Sequence, residues 1–150
     1  MKTLQVEMKV NLPIESVEEV LITALEGGSN YWYHMDGEDK STKWLEGQIE
    51  KGKLERNESI HYMWMDALFQ GSPHPINIYD LEEVYEYEQA INQCEPIGKL
   101  TMANIKKGLK LAQTEYPKFY AQHFPEYNNG DATSSDVIFQ LITLGEVVYG

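Results

Sequence analysis

The side chains that could do chemistry in this chain are numerous, but they do not form a recognisable catalytic or metal-binding motif. The 150 residues include 24 Asp and Glu, 4 His and a single cysteine, Cys94. No two histidines have the i,i+4 spacing, and no Cys-x-x-Cys occurs, that would aim two ligands at one metal ion. Neighbouring carboxylates such as Glu18-Glu19 and Glu82-Glu83 are expected by chance at this acidity and indicate a solvated face. The sequence therefore predicts no metal, no cofactor and no catalytic residues.

Aromatic rings and lysines are the side chains that could hold a ligand. Exposed rings can stack on a purine and lysines can meet its phosphates without any sequence motif. Tyr31, Trp32 and Tyr79 would supply such rings in the first half of the chain. Residues 99–118 carry a net charge of +4 in a chain of net charge −12. This basic segment is either an anion site or the polar side of an amphipathic helix, and it could also meet an acidic segment of a second copy, which favours a homo-oligomer.

The acidic balance points to a different kind of partner. Residues 76–98 carry six carboxylates and no Lys or Arg: Asp80, Glu82, Glu83, Glu86, Glu88 and Glu95. Strong acidity and the single arginine, Arg56, oppose direct binding to DNA or RNA, because phosphate neutralisation needs clustered cations. An acidic face is, however, suited to docking on a basic protein.

The first half of the chain is patterned to build a helix between two strands. Residues 3–10 alternate apolar and polar side chains, which predicts a half-buried strand. Pro13 suits a first helical turn, Ser16-x-x-Glu19 has the spacing of a capping box, and an apolar stripe continues to about Glu26. Gly27-Gly28 is predicted to end the helix with φ > 0 and to reverse the chain into a strand over residues 30–35.

The second half is predicted to be mainly helical. Residues 36–58 are polar and poorly periodic, which indicates an irregular excursion with a short helix near 44–49. Helices are predicted over 59–70 and 102–115, with Thr101 as the cap of the second, and a short one follows the break at Tyr116-Pro117. Thr133-x-x-Asp136 is predicted to start the last helix, which, like the helix over 102–115, carries an apolar stripe. Residues 76–79 and 97–100 are predicted as short strands, 128–131 as a loop, and the acidic segment as either a hairpin arm or an exposed helix.

These elements predict one α+β domain over residues 1–150, with a small, mainly antiparallel sheet packed against about four to five helices. No apolar run approaches the roughly 20 residues of a membrane span, and no signal-peptide core follows the first residues. The single cysteine fits a reducing compartment. The expected location is the cytoplasm.

Four segments together resemble a group of small proteins encoded by bacteriophages and prophages. They are residues 24–32 (ALEGGSNYW), 78–80 (IYD), 100–109 and the ending 140–150, in which Gln140 and Gly145-Glu146 interrupt an apolar stripe. Segments 36–58 and 82–96 depart from that pattern and resemble insertions. The resemblance implies an accessory protein of the host bacterial cytoplasm that disarms immunity by binding.

Two binding modes follow from that resemblance. In the first, the protein sequesters a nucleotide-type immune signal, and the contacts would come from Tyr31, Trp32 or Tyr79 on the base, Lys106 and Lys110 on phosphate, and Asn104 or Gln140 on polar edges. In the second, an acidic mimic blocks a nucleic-acid-binding defence protein through Asp80, Glu82, Glu83, Glu86 and Glu88. A small enzyme acting on a nucleotide, and a phage protein with no defence role, are the remaining alternatives.

Overall fold

The computed structural model describes residues 1–36, 38–56, 59–86, 93–125 and 130–150, and these ranges contain seven α-helices and a three-stranded sheet. In chain order the elements are α1 (Ile14–Thr23), a π-helical turn (Ala24–Gly28), β1 (Tyr33–Asp36), α2 (Glu38–Glu50), α3 (Ile60–Phe69), β2 (Ile76–Asp80), α4 (Leu81–Glu86), β3 (Gly98–Leu100), α5 (Met102–Glu115), α6 (Pro117–His123) and α7 (Ala132–Thr143). The predicted α+β class is confirmed.

The sheet is antiparallel throughout, in the order β1-β2-β3. Met35 of β1 lies opposite Ile78 of β2, and Ile76 of β2 lies opposite Leu100 of β3. These four side chains are buried and form the sheet's contribution to the core. The three predicted strands are confirmed, and each end lies within three residues of its predicted position.

Helix α7 is the centre of the core, and α5 crosses it at a glycine. Ile138 and Phe139 of α7 are fully buried. A Cβ atom built on Gly108 of α5 would lie 2.3 Å from the Cα of Ile142, so the two helices approach more closely there than any larger residue allows. The apolar stripes predicted for both helices therefore face each other.

The glycine pair Gly27-Gly28 does not end the helix with a left-handed residue, as the sequence predicted. The helix continues through the π-helical turn, and among the described residues only Gly52, Gly71 and Gly145 have positive φ. A Cβ on Gly28 would lie 2.5 Å from the carbonyl oxygen of Ala132 at the start of α7. Glycine is required here for close packing, and the predicted left-handed turn is wrong.

The predicted strand over residues 3–10 is also wrong. These residues have no regular secondary structure, and Leu4, Val6, Met8 and Val10 are exposed. Alternation specifies which face a strand would bury, but a strand forms only when another strand supplies its hydrogen bonds. No described strand of the same chain pairs with this segment.

The structure also differs from the prediction at α2 and at the starts of α1 and α7. Residues 38–50, predicted to be mostly irregular, form a helix that packs on α3, with Leu45 contacting Met63 and Ala67. Helix α1 begins after Pro13, and Ser16 is buried inside it, so the predicted capping box does not form. Asp131 caps α7 through the backbone N–H of Ser134.

Two predictions concern segments near undescribed residues. The exposed-helix alternative for the acidic segment holds over Leu81–Glu86, whereas its continuation at 87–92 lies outside the described residues. Residues 128 and 129 of the predicted loop also lie outside them.

Candidate functional site

The aromatic segment after α1 is tied to α7 by one buried side chain. The Oδ1 atom of Asp136 accepts hydrogen bonds from Ser29 Oγ at 2.7 Å and Trp32 Nε1 at 2.8 Å. Its Oδ2 atom accepts one from Tyr31 Oη at 2.6 Å. Burial, followed by this hydrogen bond, raises the pKa of Tyr31 to about 12. Asp136, predicted as part of a helix cap, is instead the acceptor that fixes the position of the segment.

The C-terminal residues cover the same indole. The ring of Tyr149 stacks on Trp32 at a centroid distance of 4.8 Å. The Oε1 atom of Gln140 accepts from the backbone N–H groups of Val148 and Tyr149, both at 2.8 Å, and its Nε2 donates to the carbonyl of Tyr149. Tyr149 Oη donates to Asp80 at 2.6 Å. Trp32 is 3% exposed and Gln140 is 0% exposed, so neither predicted ligand contact is accessible.

The predicted stacking rings do not meet at one surface. Tyr79 of β2 is 5% exposed, which leaves no face for a base. Tyr31 is 51% exposed and is the one of the three with an accessible ring. The structure therefore does not support the stacking site predicted from Tyr31, Trp32 and Tyr79. Sequence periodicity could not reveal this, because a ring's burial here depends on residues about a hundred positions away.

The predicted polar contacts on α5 lie on its exposed face. Lys106 and Lys110 are exposed, while Ile105 and Leu109 on the opposite face are buried. The Nδ2 atom of Asn104 donates to the carbonyl of Lys99 at 2.9 Å, which links the helix start to β3. The amphipathic-helix interpretation is confirmed.

A groove of about 340 Å³ lies between the turn after α3 and the start of α5. Its apolar lining comes from Leu68, Pro73, Pro75 and Met102. Its polar lining includes the residues Ser72, His74, Lys99 and Thr101. The groove lies at the first residue of the basic segment 99–118, which the sequence alone did not associate with the turn at 71–75.

The start of α5 adds to the positive character of this groove. Thr101 and Met102, which line it, are the N-cap and first residue of a 14-residue helix. Thr101 Oγ1 accepts from the backbone N–H of Asn104 at 3.1 Å. A helix N-terminus carries partial positive charge, and Lys99 carries a full one, so the groove favours an anionic group beside an apolar one.

The acidic residues around α4 form a second candidate surface. Glu82 and Glu86 are exposed, and Glu83 is half-buried. Asp80 Oδ1 accepts from the backbone N–H groups of Glu82 and Glu83 at 2.9 and 3.2 Å, so Asp80 has a local structural role. Glu88 lies outside the described residues. In the described part of the chain, no Lys or Arg forms an ion pair with these carboxylates.

Sequence reasoning missed two groups of titratable side chains. Glu18 of α1 lies near Asp66 of α3, and burial followed by the charge of Asp66 raises the pKa of Glu18. His123 is fully buried with Nε2 2.7 Å from Ser134 Oγ, and burial lowers the pKa of its imidazole. The sequence predicts the apolar stripe of each helix, but it carries no signal that shows which polar residues of two different helices lie close together.

Two further properties concern the described residues as a whole. They include no group of three or more His, Cys, Asp or Glu side chains placed to hold a metal ion. None of their helices combines the length and the apolar character that crossing a membrane requires.

Comparison of the chain with protein-family models, curated proteins and solved structures finds no match. The resemblance to phage-encoded proteins therefore stays a prediction.

Proposed function

We propose that this protein acts by binding, and that its ligand is a small anionic molecule of the nucleotide type, held in the groove at the start of α5. The observation that carries the proposal is the groove itself, in which apolar side chains, Lys99 and a helix N-terminus converge. This replaces the predicted stacking site, whose rings are mostly buried, and keeps the predicted class of ligand.

The size and lining of the groove support a small ligand. Its volume of about 340 Å³ lies at the lower end of the range typical of small-molecule sites. Pro73, Pro75 and Met102 offer an apolar surface on which a flat ring system can lie, and Lys99 is exposed beside them. A phosphate beside Lys99 would also meet the positive end of α5.

In the setting that the resemblance implies, such binding would withhold an immune signal of the host. Withholding requires only that the ligand stay intact while it is bound. The proposal therefore needs no reactive dyad and no metal at the groove.

The experiment is calorimetric titration of the purified chain with a panel of cyclic and linear nucleotides, including cyclic ADP-ribose. We expect binding at micromolar affinity or better, and recovery of the intact ligand, measured by mass spectrometry, after heat denaturation. The substitution Lys99→Glu should weaken binding at least tenfold, whereas Lys118→Glu, on an exposed residue of α6, should not. A flat titration for the whole panel, or equal affinity of the two variants, would contradict the proposal, and a converted ligand would indicate an enzyme.

The acidic surface around α4 favours a second candidate function, blocking of a basic nucleic-acid-binding protein. Its support is the exposure of Glu82 and Glu86 without a cationic partner among the described side chains. We expect the triple substitution Glu82→Gln, Glu83→Gln, Glu86→Gln to abolish capture of a partner from infected cells. Neutralising the exposed Glu50, Glu55 and Glu115 removes the same number of charges elsewhere and provides the control. Equal loss of capture in the two triple variants would show that net charge, and not this surface, causes the effect.

A further inference from the structure

The first eleven residues, here called the N-terminal arm, lie outside the body of the protein. They have no regular secondary structure, and they form no hydrogen bond with any residue that the structure describes. Leu12, the next residue, packs on the main core. Leu12 is therefore the first residue of the chain that packs on the core.

The arm has the sequence of a strand but the exposure of an unpaired segment. Leu4, Val6, Met8 and Val10 are 88%, 63%, 80% and 52% exposed, and Gln5, Glu7 and Lys9 alternate with them. Four apolar side chains on one face are costly in water, and pairing with a sheet edge would bury them while it supplied the hydrogen bonds of a strand. The sequence pattern and the exposure together point to a strand whose partner lies in another molecule.

The same chain offers a sheet edge of the kind that such a strand needs. Strand β1 pairs with β2 on one side, and in the described ranges no strand pairs with its other side. An unpaired edge strand presents backbone N–H and C=O groups that natural proteins cover or pair. The other edge strand, β3, has only three residues, and the carbonyl of its Lys99 already accepts a hydrogen bond from Asn104. Each copy thus carries one unpaired strand pattern and, at β1, the longer of its two sheet edges.

We propose that the N-terminal arm adds as a strand along β1 of a second copy, and that the two copies exchange arms around a two-fold axis. This exchange uses each arm and each β1 edge once, so the assembly closes as a dimer. The backbone hydrogen bonds of the added strand supply affinity, and the apolar face of the arm supplies register.

Charge favours a second copy as the occupant. The arm carries Lys2, Lys9 and Glu7, a side-chain charge of +1, so the other residues carry −12 − 1 = −13. The acidic helix α4 contacts β1 and β2, which places Glu82 and Glu86 on an element next to the edge that the arm would join. A weakly basic strand is therefore matched to an edge that lies beside an acidic helix in the same protein.

The first test measures the mass of the full-length chain by sedimentation equilibrium over a wide concentration range. We expect a reversible dimer of 2 × 17.3 = 34.6 kDa. The double variant Val6→Asp, Met8→Asp should be monomeric, whereas Thr3→Asp, Gln5→Asp adds the same charge to the other face and should still dimerise. Circular dichroism checks that the body stays folded, as expected for changes on exposed side chains. A monomeric wild-type chain, or equal dimerisation of the two variants, would overturn the proposal.

The second test locates the arm. One sample, without ¹⁵N, carries a nitroxide on the polar face of the arm, attached at Glu7→Cys in a Cys94→Ser background. It is mixed with a second sample that is ¹⁵N-enriched and carries no nitroxide. We expect the amide signals of Tyr33 and Met35 to broaden in the mixture. The observed ¹⁵N-enriched copy has no nitroxide of its own, so only the arm of another copy can bring one to its β1. Broadening that occurs only when nitroxide and ¹⁵N are in the same molecule would show that the arm folds on its own sheet, and broadening at another surface would likewise exclude the proposed edge.

Discussion

The indole Nε1 of Trp32 donates a hydrogen bond of 2.8 Å to Asp136, which joins the segment after α1 to helix α7 across 104 positions of sequence. The ring itself is covered by Tyr149. Trp32 is thus a structural anchor that holds the first helix, the last helix and the C-terminal residues together. The candidate ligand site lies away from this anchor, between the turn after α3 and the start of α5.

The substitution Asp136→Ala should lower the free energy of unfolding by about 3 kcal/mol, because it leaves the buried donors of Trp32 and Ser29 without their acceptor. Asp136→Asn should cost clearly less, since one amide oxygen can keep both of those bonds. Urea denaturation followed by tryptophan fluorescence measures both values. A cost for the alanine variant no larger than that of Tyr31→Phe, which removes one bond at a half-exposed side chain, would contradict this role.

Gly108→Ala should destabilise the protein by about 2 kcal/mol, because the added methyl group meets the backbone of Ile142 and forces α5 away from α7. Gly27→Ala is the matched control: a Cβ there meets no atom within 4 Å, and its φ is not positive. Thermal unfolding of the two variants should give a lower Tm for Gly108→Ala and an unchanged or higher Tm for Gly27→Ala. Equal changes in Tm would argue against the close crossing of the two helices.

Glu18→Gln should stabilise the protein at pH 7 and have little effect at pH 4. Burial and the charge of Asp66 raise the pKa of Glu18, so the folded state binds its proton more tightly than the unfolded chain does. Stability from this group is therefore present at low pH and is lost as the pH rises through the folded-state pKa. Because the side chain is partly exposed, we expect a gain of only about 0.5 kcal/mol at pH 7.

The check is chemical denaturation of Glu18→Gln at both pH values, with Glu115→Gln at an exposed position as the control. A gain of the same size at pH 4 and pH 7, or the same gain in both variants, would mean that the Glu18–Asp66 contact is not its source.

His123 should give the opposite pH dependence. Burial lowers the pKa of its imidazole, so below pH 6.5 the unfolded chain binds this proton more readily than the folded protein does. The free energy of unfolding should fall as the pH drops from 6.5 through the lower folded-state value. His123→Gln should be less stable at pH 7.5, since it disturbs a fully buried site, but should lose less on going to pH 5.5 than the wild type does. An equal loss in both proteins would assign the acid sensitivity to other groups.

The local elements of this protein could be predicted from its sequence because their causes are local. The apolar stripe of α5 and the cap at Thr101 are set by neighbouring residues, and both form as expected. The same holds for the short strands at 76–80 and 98–100, although the three-residue β3 leaves little pattern to read. The α+β class follows from the order of these elements.

The candidate site could not be predicted, because its parts are separated in sequence. His74 and Pro75 line the groove with Lys99 only because β2 pairs with β3, which brings the turn after α3 next to the start of α5. Similarly, the sequence predicts that Gln140 contacts a ligand. In the structure the oxygen and the nitrogen of its side-chain amide both form hydrogen bonds with the C-terminal backbone.

The sequence by itself determined the helical stripes, the strand alternation, the acidic balance and the basic start of α5. Only the tertiary structure decided which aromatic rings are buried, which glycines are needed for close contact and which strand-like segment is left unpaired. The physical reason is that periodicity records the face that each element would bury, whereas burial itself depends on a partner. For residues 3–10 that partner is missing from the described fold, and for Trp32 it is Asp136, supplied from the far end of the chain.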